Sequence, residues 1–547
     1  MYQVRRNRDA RNALEECILR YHSLFQKGHG ALQDKYYAPY FTIIQSSGYG
    51  KTRLALQMAE KFFSFYICLR AVDSTGQPPR TSTVADSVYF NSSSEEFVAV
   101  SIEFRFLEFF RKLLQCTQCF ETPLELFQAQ QVENPVINNA FWTNVLNGNF
   151  KISETKNGGK PRPILIIVDE ARGLKGVDSS DHSQSSIYMG LRRALAADSR
   201  DFLCIMIDTN AKISNFAPVF ADDPSGRVSS GEKLFHPWSC IPTIDLELSL
   251  PAIVAKVDDS VQCGGSKSFH YNRFNVLKYS RPMFTYAKLF TSVDPDLVSS
   301  KILWLQLMDL AHEKLFGKKK AEKIDSLDMM AALAGRFCLV PVDMTTKESL
   351  VANKMATMQA CSVGRRRMAV DYAVEPVLGE SFAHFMTVHF EGIMNALSHL
   401  MGSGQLSLAG SKGDYGELMA AIIMTRAYDI KHCLIDRHYS KPVMVQDILS
   451  LFQADDGTGT GKLVITEKEK RSSGRKKGKR KDSTLILRSL VRFLQFTRLR
   501  KPLSAVELAA GFQRCAAFLT AAGTVACDLV IPILLGEQEQ SLPGMVS

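Results

Sequence analysis

Gln45-Ser46-Ser47-Gly48-Tyr49-Gly50-Lys51-Thr52 is the stretch of this chain best suited to chemistry on a phosphate. It follows the GxxxxGK[ST] pattern except at its first position, where Gln45 replaces glycine. Such a loop curls its backbone N–H groups around phosphates, so it needs residues free in φ, which Gly48 and Gly50 supply. The helix that follows points its positive end at the anion. Lys51 would meet the β and γ phosphates and Thr52 would ligate Mg²⁺, with Ser46, Ser47, Tyr49 and Arg53 lining the same nucleotide site. The ligand this predicts is ATP with Mg²⁺. A chance Gly-Lys-Thr turn is the competing reading.

A second motif argues against chance. ILIIVDE (164–170) is an apolar run ending in two acids. Asp169 is placed to hold Mg²⁺, and Glu170 to polarise the attacking water. A third apolar run, 202–207, leads into Asp208-Thr209-Asn210. Thr209 and Asn210 are candidate sensors of the γ-phosphate, or an ordinary helix entry. Arg192 and Arg193 are candidates for a transition-state arginine, or part of a solvated helix face. Gly457-Thr458-Gly459-Thr460-Gly461-Lys462 mimics a second phosphate loop. It lacks a strand before it and a hydroxyl after its lysine, and reads as linker.

These residues need a scaffold. A helix over 8–27, a strand over 40–44, a helix over 52–63 and a strand over 65–69 open an α/β unit with a parallel sheet. The motifs lie far apart, and a polar excursion over 74–94 accommodates the excess. The pattern then predicts a strand over 97–102 and a helix over 103–118. Further on it predicts mainly helix from 269 to about 334, helices near 380–400 and 415–430, helix over 484–521 and a buried strand over 528–535. At ~100–200 residues per domain, 547 residues suggest about three domains. The expected division is an N-terminal helix (1–35), an α/β core (36–255), a helical lid (256–336) and an α+β C-terminal domain (337–547).

Hydrophobic content of 46% is enough to bury a core. The 12 cysteines are scattered through apolar stretches, as free thiols are. Cys116 and Cys119 form an isolated pair near a helix end. The charged N-terminus lacks the apolar core of a signal peptide. The apolar stretch 515–535 contains Asp528 and Pro532, which suits a helix end and buried strand rather than a membrane span. Net charge is +10. Its densest part is the run KEKRSSGRKKGKRK from Lys468 to Lys481, inside the low-complexity break 455–482. Such a run suits an import receptor, and hence the nucleus, or nucleic acid.

QSSGYGKTRLALQMAE, FYICLR, ILIIVDEARGL, IDTNAKISNFAP and YSRPMF occur in that order. With them the chain resembles the P-loop NTPase part of fungal Crinkler (crinkling-and-necrosis) effectors. The resemblance implies a helical lid opening at Ser280-Arg281-Pro282, with Arg281 reaching the nucleotide as a catalytic sensor. It extends through YAVEPVLGESFA, GDYGEL and CDLVIP, which implies a restriction-endonuclease-like C-terminal region. Glu417 and Asp528 match two positions of that nuclease site. Residues 536–547 contain no lysine to complete it. The resemblance therefore implies a truncated or degenerate nuclease that cuts DNA poorly or not at all, with residues 528–535 near the edge of its sheet. The functions expected are an ATPase coupled to this remnant, or a non-hydrolysing nucleotide switch that recruits a partner. Homo-oligomerisation is compatible with either.

Overall fold

A computed structural model describes residues 10–546, apart from 28–34, 75, 88–89, 91–98, 150–161, 176–185, 199–200, 209–227, 229–231, 240, 242–258, 263–267, 272–275, 278, 285–299, 318–323, 363–366, 407–411, 436–437, 453–488, 499–503, 521–528 and 535–543. Thr209, Asn210, Asp528 and the basic run 468–481 lie outside the described residues.

The chain divides into two compact units. The first comprises residues 1–243, 351–353 and 357–370. Its elements are α1 (Ala10–Lys27), β1 (Tyr40–Ile44), α2 (Lys51–Gln57), β2 (Ser64–Cys68), α3 (Ser82–Ala85), α4 (Ala99–Thr117), α5 (Pro123–Gln130), α6 (Pro135–Asn147), β3 (Ile164–Asp169), α7 (Ser186–Asp198) and β4 (Phe202–Asp208). The four strands form one parallel sheet in the order β1-β4-β3-β2. Every residue of these strands is buried. Burial on both faces is what continuous apolar runs dictate, and helices must cover them. One face packs Phe65, Ile67, Ile166, Val168, Cys204 and Met206 in a cluster with Phe106 and Phe109 of α4 and Trp142 of α6. Gly190 lets α7 approach α4, since a Cβ there would lie 2.3 Å from Ile102.

The strand expected over 97–102 is a correction: α4 is already helical from Ala99. Ile102, Phe106, Phe109, Phe110 and Leu113 are its buried stripe, at helical spacing. The span between the motifs is filled chiefly by α4, α5 and α6 rather than by the polar excursion. Thr122 and Asn134 cap α5 and α6 ahead of a proline at the first helical position. Cys116 and Cys119 straddle the end of α4.

The second unit comprises residues 244–350, 354–356 and 371–547. The lid and C-terminal domain expected separately thus fall in one unit, apart from residues 351–353 and 357–370. A ribbon of β5 (Asp259–Gln262) and β6 (Ser268–Tyr271) is followed by α8 (Ser300–Phe316), α9 (Ser326–Phe337) and α10 (Met344–Asn353). The strand at 268–271 corrects the helical reading from 269. The ribbon β7 (Thr357–Cys361) and β8 (Met368–Asp371) belongs, up to Val370, to the first unit. Then come α11 (Pro376–Gly402), α12 (Lys412–Ile435), β9 (Val443–Met444), α13 (Val445–Leu449), β10 (Leu490–Val491), β11 (Gln495–Arg498), α14 (Ala505–Gln513), β12 (Ala516–Leu519), β13 (Leu529–Leu534) and β14 (Gly544–Val546).

The mixed sheet runs β11-β12-β13-β10-β9, with β14 also on β13. Two expectations fail here. Among the described residues of 484–521 there are three strands and one helix, because residues 489–496 are buried throughout and 490–491 and 495–498 pair into the sheet. β13 is interior rather than near an edge, with β12, β10 and β14 as neighbours. Among the described residues no helix is long and apolar enough to cross a membrane.

On α12, His432 is fully buried, its ring 4.5 Å from that of Tyr428. Burial, then the charge of Lys441, holds its pKa down at about 3. The native ring stays neutral while the unfolded chain takes up a proton below about 6.5, so stability is lost as pH falls through that value. At pH 5 the penalty is about 2 kcal/mol. A His432→Gln variant should therefore lose about 2 kcal/mol less than the parent between pH 7.5 and pH 5 in urea unfolding followed by fluorescence. Equal losses would remove His432 as the cause.

Candidate active site at the ends of the parallel strands

The carboxyl ends of β1, β3 and β4 bring the first unit's polar residues together, as open parallel sheets do. Gly48 and Gly50 both take positive φ, 82° and 78°. They turn the chain out of β1 and straight into α2, which begins at Lys51. Lys51 is 5% exposed. Its ammonium donates to the carbonyls of Gln45 and Ser46 at 2.7 and 3.0 Å, across the mouth of the loop. The hydroxyl of Thr52 donates to Asp169 Oδ2 at 2.7 Å, joining residues 117 positions apart. Asp169 Oδ1 accepts the N–H of Glu170 at 2.9 Å, which fixes the carboxylate's orientation.

The other loop residues divide. Ser46 is buried and Ser47 half-buried. Tyr49 is buried, with its hydroxyl bonded to that of Thr357. Arg53 is exposed on α2. It lines a separate cleft of about 390 Å³ with Glu60 and Phe127, away from the loop's interior.

Gln45 was expected to be a tolerated departure at the strand exit. It is instead a 1%-exposed anchor. Its Oε1 accepts from the N–H of Met358 at 3.0 Å and from that of Ser46 at 3.0 Å. Its Nε2 donates to the carbonyls of Ser239 and Met358 at 3.0 and 3.2 Å. A glycine here would leave those backbone groups of β7 without these partners. Trp238, beside Ser239, exchanges backbone hydrogen bonds with Thr42 and Ile44 and so covers part of the outer edge of β1.

Three further groups, Tyr66, Arg70 and Arg172, went unread in the sequence, and Asp208 was named only at the tip of its strand. The hydroxyl of Tyr66, on β2, donates to Asp169 Oδ2 at 2.8 Å. Burial and then the Asp169 charge push its pKa well above the ordinary tyrosine value, so it remains a donor. Asp208 Oδ2, at the end of the strand between the two motif strands, accepts from the N–H of Arg172 at 2.7 Å. Arg70 and Arg172 flank Glu170, with Nη1 of Arg70 at 3.4 Å and Nη2 of Arg172 at 2.8 Å from its carboxylate. Arg70 is itself steadied by the carbonyls of Gln77 and Pro78, both at 3.3 Å. Glu170 has φ of 52°, uncommon for a residue with a side chain, on a carboxylate that is 7% exposed. FYICLR and VDEARG contain Tyr66, Arg70 and Arg172, but spacing alone does not reveal which strand ends meet.

Arg192 is neither on a solvated face nor at the loop. It is fully buried, its guanidinium 4.7 Å from the ring of Tyr37 and 5.2 Å from that of Tyr188. Arg193 is exposed. In the second unit Arg281, the expected sensor, is engaged in an ion pair with Glu375. Both it and Glu375 are fully buried. Arg281 gives Glu375 hydrogen bonds of 2.6 Å from Nη2, 3.0 Å from Nε and 2.9 Å from its backbone N–H. A further Nη2 bond of 2.9 Å goes to the carbonyl of Met355. The guanidinium is thus held in a buried, multiply bonded pair. Glu417 lies half-buried in the second turn of α12. Its expected companion Asp528 is outside the described residues.

A magnesium ion takes oxygen ligands and keeps several waters, needing only one or two protein groups beside substrate phosphates. The Thr52 hydroxyl and Asp169 carboxylate fit that requirement. Residues 14–241 match a protein family described as a domain of unknown function, DUF8735. The matched stretch contains the whole four-stranded sheet and every residue of this site except those of β7. No curated protein and no solved structure matches the chain.

Proposed function

From residues 14–241, similar to a family of undetermined role, we propose that the first unit is a P-loop NTPase core that binds ATP with Mg²⁺ and hydrolyses it. The observation that carries this reading is the 2.7 Å bond from Thr52 to Asp169, which joins a glycine-rich loop at a helix start to an acid at a neighbouring strand end. Support also comes from the two left-handed glycines and from a buried lysine resting on loop carbonyls that phosphates can replace.

In this proposal Lys51 leaves the carbonyls of Gln45 and Ser46 for the β and γ phosphates. The N–H groups of residues 48–52 cradle the anion. Thr52 and Asp169 hold the metal ion, which offsets charge developing on the phosphates. Tyr66 keeps Asp169 oriented. Glu170 takes the proton of the attacking water. Its ion pairs with Arg70 and Arg172 must loosen for that, and the γ-phosphate is the anion able to draw the arginines away. The same clamp favours a second reading, in which nucleotide binds and switches conformation without turnover.

The test of the shared premise is Lys51→Ala. The variant should retain the parent's circular dichroism and lose binding of a fluorescent ATP analogue by at least about 100-fold, since a charge-assisted phosphate site is removed. Binding at parental affinity would end both readings. The Crinkler-like effector role, the nuclear address at 468–481 and the nuclease remnant are separate proposals, since none of them involves a residue of the first unit's site.

A further inference from the structure

α11 and α12 pack against each other in the second unit, and the short turn Ser450–Phe452 closes a third side. Between them lies a cavity of about 630 Å³, lined by Phe390, Met394 and Met401 of α11, Met419 and Arg426 of α12, and Phe452. Its volume falls within the range of small-molecule sites, roughly 300–1,000 Å³. Along α11 the lining runs from Phe390 to Met401, roughly 16 Å at 1.5 Å per residue. Three of the lining side chains are methionines, whose unbranched thioethers adapt to a flexible apolar guest.

One cation stands in this apolar setting. The guanidinium of Arg426 lies 4.4 Å from the centre of the Phe390 ring. Its Nη1 is shut off from solvent and has no hydrogen-bond partner among the described residues. The nearest acid along the helix, Asp429, feels the charge of Arg426 but is hydrogen-bonded to Arg336 at 2.9 Å, so Nη1 itself keeps no acceptor among the described residues. A buried donor of this kind calls for an acceptor. We propose that the cavity binds a single-chain amphiphile with a carboxylate head, such as a long-chain fatty acid. The carboxylate pairs with Arg426 and the chain lies among the methionine, leucine and phenylalanine side chains. This site is independent of the nucleotide reading.

The experiment is calorimetry and displacement of a fluorescent fatty acid on the full chain, without nucleotide and below micelle concentrations. Dodecanoate should bind about 10–100-fold more tightly than dodecanol, the difference supplied by a charge-assisted hydrogen bond. Octanoate should bind more weakly than decanoate, and decanoate more weakly than dodecanoate, by about tenfold per two carbons. Arg426→Gln should abolish the preference for the acid over the alcohol while retaining the alcohol. Met419→Trp, at a half-exposed wall position, should fill the space and abolish binding of both, with circular dichroism confirming that both variants fold. Equal binding of acid and alcohol by the parent would overturn the proposal, as would no binding. So would concentration-dependent self-association that Met419→Trp abolishes while dodecanoate fails to compete, which would assign the face to a second copy of the chain.

Discussion

If the proposed reaction holds, Glu170→Gln protein should bind ATP at least as tightly as the parent and turn it over about 100–10,000-fold more slowly, the range expected when a positioned general base is removed. The amide keeps the shape of the carboxylate and most of its contacts, so the fold and the phosphate loop are untouched. It cannot accept the water's proton. It also no longer pairs electrostatically with Arg70 and Arg172, which lie 3.4 and 2.8 Å from the native carboxylate. Nucleotide affinity should therefore hold or rise while the rate falls. The measurement is phosphate release under single-turnover conditions beside equilibrium binding of ATP. Turnover at the parental rate would remove Glu170 from the reaction. A parent that binds but never releases phosphate would leave the switch reading in place.

The second large effect concerns stability. Glu375→Ala leaves the Arg281 guanidinium, fully buried, without its carboxylate. Removing one partner of a buried pair costs about 3–5 kcal/mol, because the other charge cannot reach water. Replacing both, as Arg281→Met with Glu375→Leu, should recover most of that loss, since the desolvation cost disappears with the charges. With two compact units the unfolding is not expected to be a single transition, so the effect is read on the transition that Glu375→Ala moves. A loss below about 1 kcal/mol would show that the pair contributes little. The double variant should bind ATP as the parent does, which separates a structural strut from a nucleotide sensor.

The parallel sheet was legible because its strands are short apolar runs buried on both faces, and ILIIVD or FLCIMID carries that signal without help from its surroundings. The glycine-lysine-threonine turn and the acids of β3 were legible for the same local reason. The Arg281–Glu375 pair was not foreseen because Arg-Pro at a helix start looks alike whether the guanidinium meets a phosphate or Glu375, 94 residues away. Residues 484–521 were misread because an apolar-rich segment satisfies helical spacing as well as continuous burial, and only sheet pairing decides. Gln45, Tyr66, Arg70 and Arg172 were invisible as a set. Their roles depend on the strand order β1-β4-β3-β2, which no stretch of sequence encodes by itself.

The bonds from Gln45 to Met358 also bear on the order in which the chain is made. A ribosome releases residues 40–208, with every strand of the parallel sheet, long before Met358 emerges. Until then the buried amide at the root of the phosphate loop lacks the N–H and C=O that hold it 313 residues downstream. A nascent chain, or a fragment ending at residue 241, lacks the partners that fasten this corner of the loop. The root of the loop is thereby completed only when residue 358 has been made.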